Sequence, residues 1–153
     1  MIKIFEFLYP KAIVLDVQSR DKKGVITELV ECLSKEKKVK DTPKAITSVL
    51  EREKLGTTGV GQGVAIPHGR TDAVGELVGA IGLSKQGVEF ESLDGEPVHI
   101  IFLLLSPPDS GGQHLRALAK VSRLFKDKFF RQALLDARTK EEVLKIVQQE
   151  DEY

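Results

Sequence analysis

The 153-residue sequence predicts one α/β domain over residues 1–153, with a mixed sheet of about five strands and helices on both faces. Three observations lead there. The segment "VHIIFLLLS" (98–106) is apolar at successive positions, so both faces of that strand need cover. Amphipathic helical spacing follows the first strand and fills the last third of the chain. Short strands bounded by glycine and proline lie between. Strand, two helices, about four strands, three helices is buried most simply by one sheet with a helical layer on each side.

The elements follow in order. "AIVLDV" (12–17) is β-branched and apolar and reads as a strand. Ser19 or Asp21 offers an N-cap, after which Val25, Ile26, Leu29, Val30 and Leu33 keep helical spacing. "DTPKAITSVLEREKLG" is a second helix, with Thr42 as N-cap, Pro43 in the first turn and Gly56 at the exit. "VAI" (64–66) is a short strand that Pro67 stops, since proline has no N–H for a ladder. "LVGAIGLS" (77–84) is a strand, "GVEF" a short edge strand and "LDGEP" a turn. A helix starting near Gly112 should bury Leu115, Leu118, Val121, Ser122 and Phe125. "KDKFFRQALLDA" continues as another. Thr139-x-x-Glu142 opens the last helix as a capping box, with Val143, Leu144, Ile146 and Val147 inside.

Composition narrows the function. Lys plus Arg and Asp plus Glu each number 23, so the chain lacks the basic excess of a non-specific nucleic-acid binder. Arg116, Lys120 and Arg123, followed by Lys126, Lys128 and Arg131, read as a solvated helix face. No apolar run reaches the roughly 18 residues of a membrane span. The start "MIKIFEFLYP" is short for a secretory signal and carries Glu6, so a soluble cytoplasmic protein is expected. Cys32 is the single cysteine, which excludes an internal disulfide.

"GVAIPHGR" (63–70) is the unusual stretch. Pro67 restricts Ile66 to extended backbone, and Gly69 frees the turn after His68. His68 is thereby expected at a strand end beside a surface hollow. A neutral imidazole there, with one nitrogen protonated onto a carbonyl and the other bare, is a nucleophile. Alone, such a histidine is more often structural. His114 falls in the first turn of the helix after Gly112, where free N–H groups favour anions and a neutral, hydrogen-donating ring. Arg52 closes the helix before the glycine run and has the planar fork that suits phosphate oxygens. Thr57 and Thr58 offer hydroxyl donors or merely shape the turn. His99 reads as structural.

Rival chemistries fit poorly. "GVGQG" is followed by Pro67 rather than a helix and lacks the Gly-Lys-Ser/Thr ending of a nucleotide loop. His68, His99 and His114 are too far apart in sequence to read as a metal motif, and no HExxH occurs. A Ser106-based hydrolase triad has no G-x-S-x-G elbow behind it.

"EREKLGTTGVGQGVAIPHGR" resembles the active-site segment of the type-2 enzyme IIA proteins of the phosphoenolpyruvate-dependent phosphotransferase system, the fructose, mannitol and nitrogen-regulatory branch. Glu53, Val60-Gly61, Val64-Ala65-Ile66 and Pro67-His68-Gly69 stand at that family's spacing, and the likeness extends over "FLYPKAIVLDV", "FESLDGEPVHIIFLLLSP" and "HLRALAKVSRLF". The resemblance implies a phosphoryl-carrying component of that system, with His68 accepting on Nε2 from HPr or a paralogue. It implies roles for His114 and Arg52 at the phosphoryl group, with Thr57, Thr58 and the Gly69 region around it, and neither metal nor cofactor. Thr57 stands where relatives often carry serine. The next acceptor is expected to be a downstream regulatory protein or a IIB cysteine, and Cys32, inside a helix, is not that cysteine. With no IIB or HPr segment in these residues, the nitrogen-regulatory branch is expected. The alternatives are a sugar-specific IIA of a fructose- or mannitol-type permease and a non-catalytic module of the same fold.

Overall fold

The structure, a computed structural model, describes residues 2–152. After a 3-10 turn at Ile4–Glu6 the chain forms β1 (Leu8–Val14), α1 (Lys22–Lys35) and α2 (Thr42–Lys54). β2 (Gly59–Gly61), β3 (Val64–Ala65), β4 (His68–Arg70), β5 (Val78–Val88) and β6 (Val98–Ser106) follow, then α3 (Gln113–Phe125), α4 (Lys128–Asp136) and α5 (Lys140–Asp151). The six strands make one mixed sheet in the order β1-β5-β6-β3-β2, with β4 also beside β6.

Two of the six strands, β2 and β4, were not expected, and β4 is separate from β3 because of Pro67. β3 and β4 both run parallel to β6, and their partners (Ala65 with Ile101, His68 with Leu104) keep a common register across the gap. They are one strand broken at Ile66 and Pro67. Proline cannot donate to the ladder, and Ile66 turns its N–H to the Thr58 carbonyl at 3.1 Å instead.

Other boundaries move for local reasons. β1 begins at Leu8 rather than 12, because it takes the sheet edge beside β5, where the missing donor of Pro10 is tolerated. "GVEF" is no separate strand: β5 runs on to Val88 past an irregularity, and Glu89 makes only an isolated bridge to Asp21. The N-cap of α2 is Asp41, whose carboxylate accepts the Lys44 N–H at 3.1 Å. Thr42 spends its hydroxyl on Ser34 Oγ at 2.6 Å. The Asp21 and Thr139 caps form as expected, but Glu142 accepts from Arg138 N rather than from the N-cap amide.

Alternation along the strands sorts the core into two layers. Ala65, Ile101, Leu103 and Leu105 pack under α1 and α2. Val64, Ile66, Ile100, Phe102 and Leu104 pack under α3, α4 and α5. α3 buries Ala117, Val121, Leu124 and Phe125, while Leu115, expected inside, points to solvent. Lys120 corrects the solvated-stripe reading. It is 4% exposed, its Nζ 3.8 Å from Asp151, whose carboxylate also accepts the Ile4 and Phe5 N–H groups. Arg116 and Arg123 on the same helix are exposed. Among the described residues no helix is long and apolar enough to cross a membrane.

Candidate functional site

The break at Pro67 builds the first half of the site. His68 opens β4, half-buried, and its Nδ1 lies 2.9 Å from the Ile66 carbonyl. A carbonyl only accepts, so Nδ1 carries the proton and the lone pair of the neutral ring is on Nε2. β6 uses the Pro67 carbonyl, which accepts the Leu104 N–H at 3.0 Å, whereas Ile66 faces away from β6. Its carbonyl is therefore left to lock the ring and its tautomer. Burial pushes the His68 pKa below its ordinary value, and the charges of Arg52 and Arg70 push the same way. The ring is therefore neutral near pH 7.

Gly69 explains which way His68 faces. A Cβ there would come within 2.6 Å of Ser48 Oγ and 3.2 Å of α2 backbone, so α2 rests directly on β4. Strand alternation then sends His68, like Val64 and Ile66, to the α3 side of the sheet. Gly69 is not in a left-handed conformation, so its lack of a side chain serves this close approach rather than a turn. In this stretch the residues with positive φ are Gly61, Gln62 and Gly63, which make the β2–β3 hairpin.

The second half comes from α3. His114 is 3% exposed, with its ring centroid 5.5 Å from that of His68. Its Nδ1 is hydrogen-bonded to the hydroxyl of Ser106 at the end of β6. Burial, with the positive charge of Arg70 and the neighbouring His68, lowers its pKa to about 4. α3 has no side-chain cap at Gly112, so N–H groups of its first turn are left for an anion. The expected pair of facing imidazoles is thus present, one accessible and one enclosed.

The remaining expected residues are arranged less simply. Arg52 is at the end of α2 and donates from Nη1 to the Gly56 carbonyl at 3.0 Å, holding the exit of the helix. Thr57 donates its hydroxyl to the Phe90 carbonyl, and Thr58 donates both its N–H and its hydroxyl to the Glu53 carboxylate. Glu53, 7% exposed, is also paired with Lys22 at 3.0 Å. Of Thr57, Thr58 and Gly69, expected as phosphate contacts, the two threonines here have their hydroxyl hydrogens on protein acceptors and Gly69 is buried against α2. His99 is structural, its Nδ1 2.7 Å from the Ser84 carbonyl. Two residues had been given no role at the site, Ser106 and Arg70. Arg70 was missed because the strand was expected to stop at Pro67; it resumes at His68, so Arg70, two positions on, shares the His68 face.

Two neutral imidazoles, one with an outward lone pair and one next to uncapped helix amides, can take and hold a phosphoryl group. The sequence matches, over residues 6–150, the family described as phosphoenolpyruvate-dependent sugar phosphotransferase system, EIIA 2. The chain belongs to this family. It is 37% identical over 150 residues to the fructose-specific EIIABC component of Bacillus subtilis, covering 98% of this chain and 24% of that protein. The chain thus spans about a quarter of that relative's length. It is 35% identical to a nitrogen regulatory protein of Bradyrhizobium diazoefficiens, covering 94% of each chain. The crystal structure of nitrogen regulatory protein IIA-Ntr from Neisseria meningitidis superposes with a TM-score of 0.87 at 39% identity, over 94% of this chain and 98% of that one. The EIIA mannitol fold of Escherichia coli is shared at 22% identity and a TM-score of 0.77. Membership in this family accounts for the mixed sheet, which the Neisseria structure shares.

Proposed function

We propose that this EIIA protein is a phosphohistidine carrier in which His68 Nε2 accepts a phosphoryl group from an HPr-like phosphoprotein. The Nδ1–Ile66 carbonyl bond carries the proposal, because it leaves Nε2 as the only nitrogen able to attack. In the transfer the His68 Nε2–P bond forms and the donor N–P bond breaks, its electron pair staying on the donor imidazole, which leaves neutral. His68 keeps its Nδ1 proton and becomes cationic, and the Ile66 carbonyl accepting from that N–H stabilises the new charge. With Ser106 donating to His114 Nδ1, Nε2–H of His114 turns to the phosphoryl oxygens, joined by the α3 amides and by Arg52. No metal or cofactor takes part in the step.

The exposed apolar side chains of Leu55, Val60 and Leu115 lie close in sequence to Arg52, Thr58 and His114 and favour a protein donor over a small one. The protein works in the cytoplasm, where such donors operate. We assign it to the nitrogen-regulatory branch, in which the phosphorylated and free forms bind a downstream regulatory protein differently. The likeness to the Neisseria and Bradyrhizobium proteins supports that branch. The Bacillus relative supports a second reading, a sugar-specific IIA that passes the group to a IIB cysteine of a fructose- or mannitol-type permease.

The experiment is labelling with phosphoenolpyruvate, enzyme I and HPr. One acid-labile phosphate per chain is expected on His68, and none in His68→Ala. Undiminished label in that variant would overturn the assignment. Transfer from the labelled protein to a purified fructose-type IIB would favour the second reading.

A further inference from the structure

We propose that Arg70 is a phosphate-holding residue, reaching the phosphoryl group on His68 from the strand that carries both, and tying that group through Ser110 to the turn preceding α3. The inference rests on the carrier reading above.

Three placements lead to it. His68 and Arg70 are alternate residues of β4, and the close approach of Gly69 to α2 sends both side chains to the α3 side. The register of β4 on β6 sets Arg70 opposite Ser106, whose hydroxyl holds His114. Arg70 Nη1 donates to Ser110 Oγ at 3.0 Å, and Ser110 closes the turn into α3 by accepting the Gln113 N–H at 3.2 Å. Arg70 thus spans the two elements that carry the imidazoles.

Its charge state fits the role. Among the described residues no carboxylate pairs with Arg70. The cation is exposed, holds only one neutral hydroxyl, and its field reaches both rings. A guanidinium has five N–H donors in a fork that matches phosphate oxygens, so one can stay on Ser110 while others meet the new dianion. Arg52 belongs to the last turn of α2 and is bound to the Gly56 carbonyl. Arg70 closes the α3 side. Phosphorylation would then tighten or shift Ser110 and the Pro107–Gly112 turn, placing a report of the phosphorylation state on the surface.

The test compares wild type with Arg70→Gln, Arg70→Lys and Ser110→Ala, each labelled by enzyme I and HPr. Arg70→Gln is expected to lower single-turnover phosphoryl uptake by about 10- to 100-fold and to move the phosphorus resonance of the isolated phosphoprotein. Arg70→Lys is expected to restore part of the rate. In wild type, phosphorylation should change amide exchange over residues 109–112, and that change should vanish in Ser110→Ala while uptake stays within about twofold. An Arg70→Gln protein with wild-type uptake and an unmoved resonance would overturn the inference, as would a Ser110→Ala defect equal to that of Arg70→Gln. A weaker apparent affinity for HPr alone, with saturating rate and resonance unchanged, would make Arg70 a docking residue and also overturn it. Failure of wild type itself to label would instead overturn the carrier reading.

Discussion

β4 and the first turn of α3 each bring one histidine to the same place, and they treat it oppositely. His68 is half-buried on a strand end with its ring pinned by a backbone carbonyl. His114, a ring-width away, is enclosed and pinned by a hydroxyl. A carbonyl forces one tautomer and leaves Nε2 bare, which suits attack. A hydroxyl that donates leaves Nε2–H free, which suits holding charge, and such a donor is stronger where water is excluded. In the carrier proposed above, exposure and the type of tether, rather than residue identity, would divide nucleophile from stabiliser.

That division is easiest to break at its accessible end. His68→Ala should lose all acid-labile phosphate, and a circular dichroism spectrum like wild type would assign the loss to chemistry rather than folding. His114→Ala should keep His68 competent but slow its phosphorylation by roughly 100-fold, the scale of one preorganised donor. Stopped-flow or quench kinetics at wild-type speed would leave His114 as packing.

Acid sharpens the comparison. Unfolded His114 takes a proton near pH 6.5 and the folded ring only near about 4. Between those values the unfolded state binds the extra proton, so stability is complete above that window and lost as pH falls through it. Urea melts should show a drop of up to about 3 kcal/mol from neutral pH to about pH 4. His68, also held below its ordinary value by burial, adds a smaller loss of the same sign. The His114→Ala protein should therefore show a much flatter curve, and an unaltered slope would place the titration elsewhere. The smallest effect is expected from Ser106→Ala. It removes only the tether of His114 and should slow phosphorylation a few-fold, roughly 1 kcal/mol, with the His114 carbon-proton resonances shifted in NMR spectra.

Much of this was visible in the chain. The run at 98–106 demanded cover on both faces and became β6, the strand flanked by β5 and β3. Pro67 was read as a stop, and it stops the ladder for two residues before the strand resumes. Leu115 misled because a three-and-four spacing does not say which of two neighbouring stripes faces the sheet. Burying His114 and Ala117 rotated it outward. Lys120 misled because charge predicts exposure unless a distant acid arrives, here Asp151 from the far end of the chain. Thr57 and Thr58 suited phosphate by type, but Phe90 and Glu53 had taken their hydroxyl hydrogens.

By itself the sequence determined the local chemistry: a proline that interrupts the strand, a histidine two residues beyond Ile66 whose ring reaches back to that carbonyl, and a glycine small enough to lie under a helix. Those effects act over neighbouring residues, where covalent geometry and missing donors leave few choices. Only the tertiary structure decided which groups converge. The His68–His114 approach and the reach of Arg70 to Ser110 join residues 46 and 40 positions apart. They depend on strand register and helix rotation, which the whole core sets.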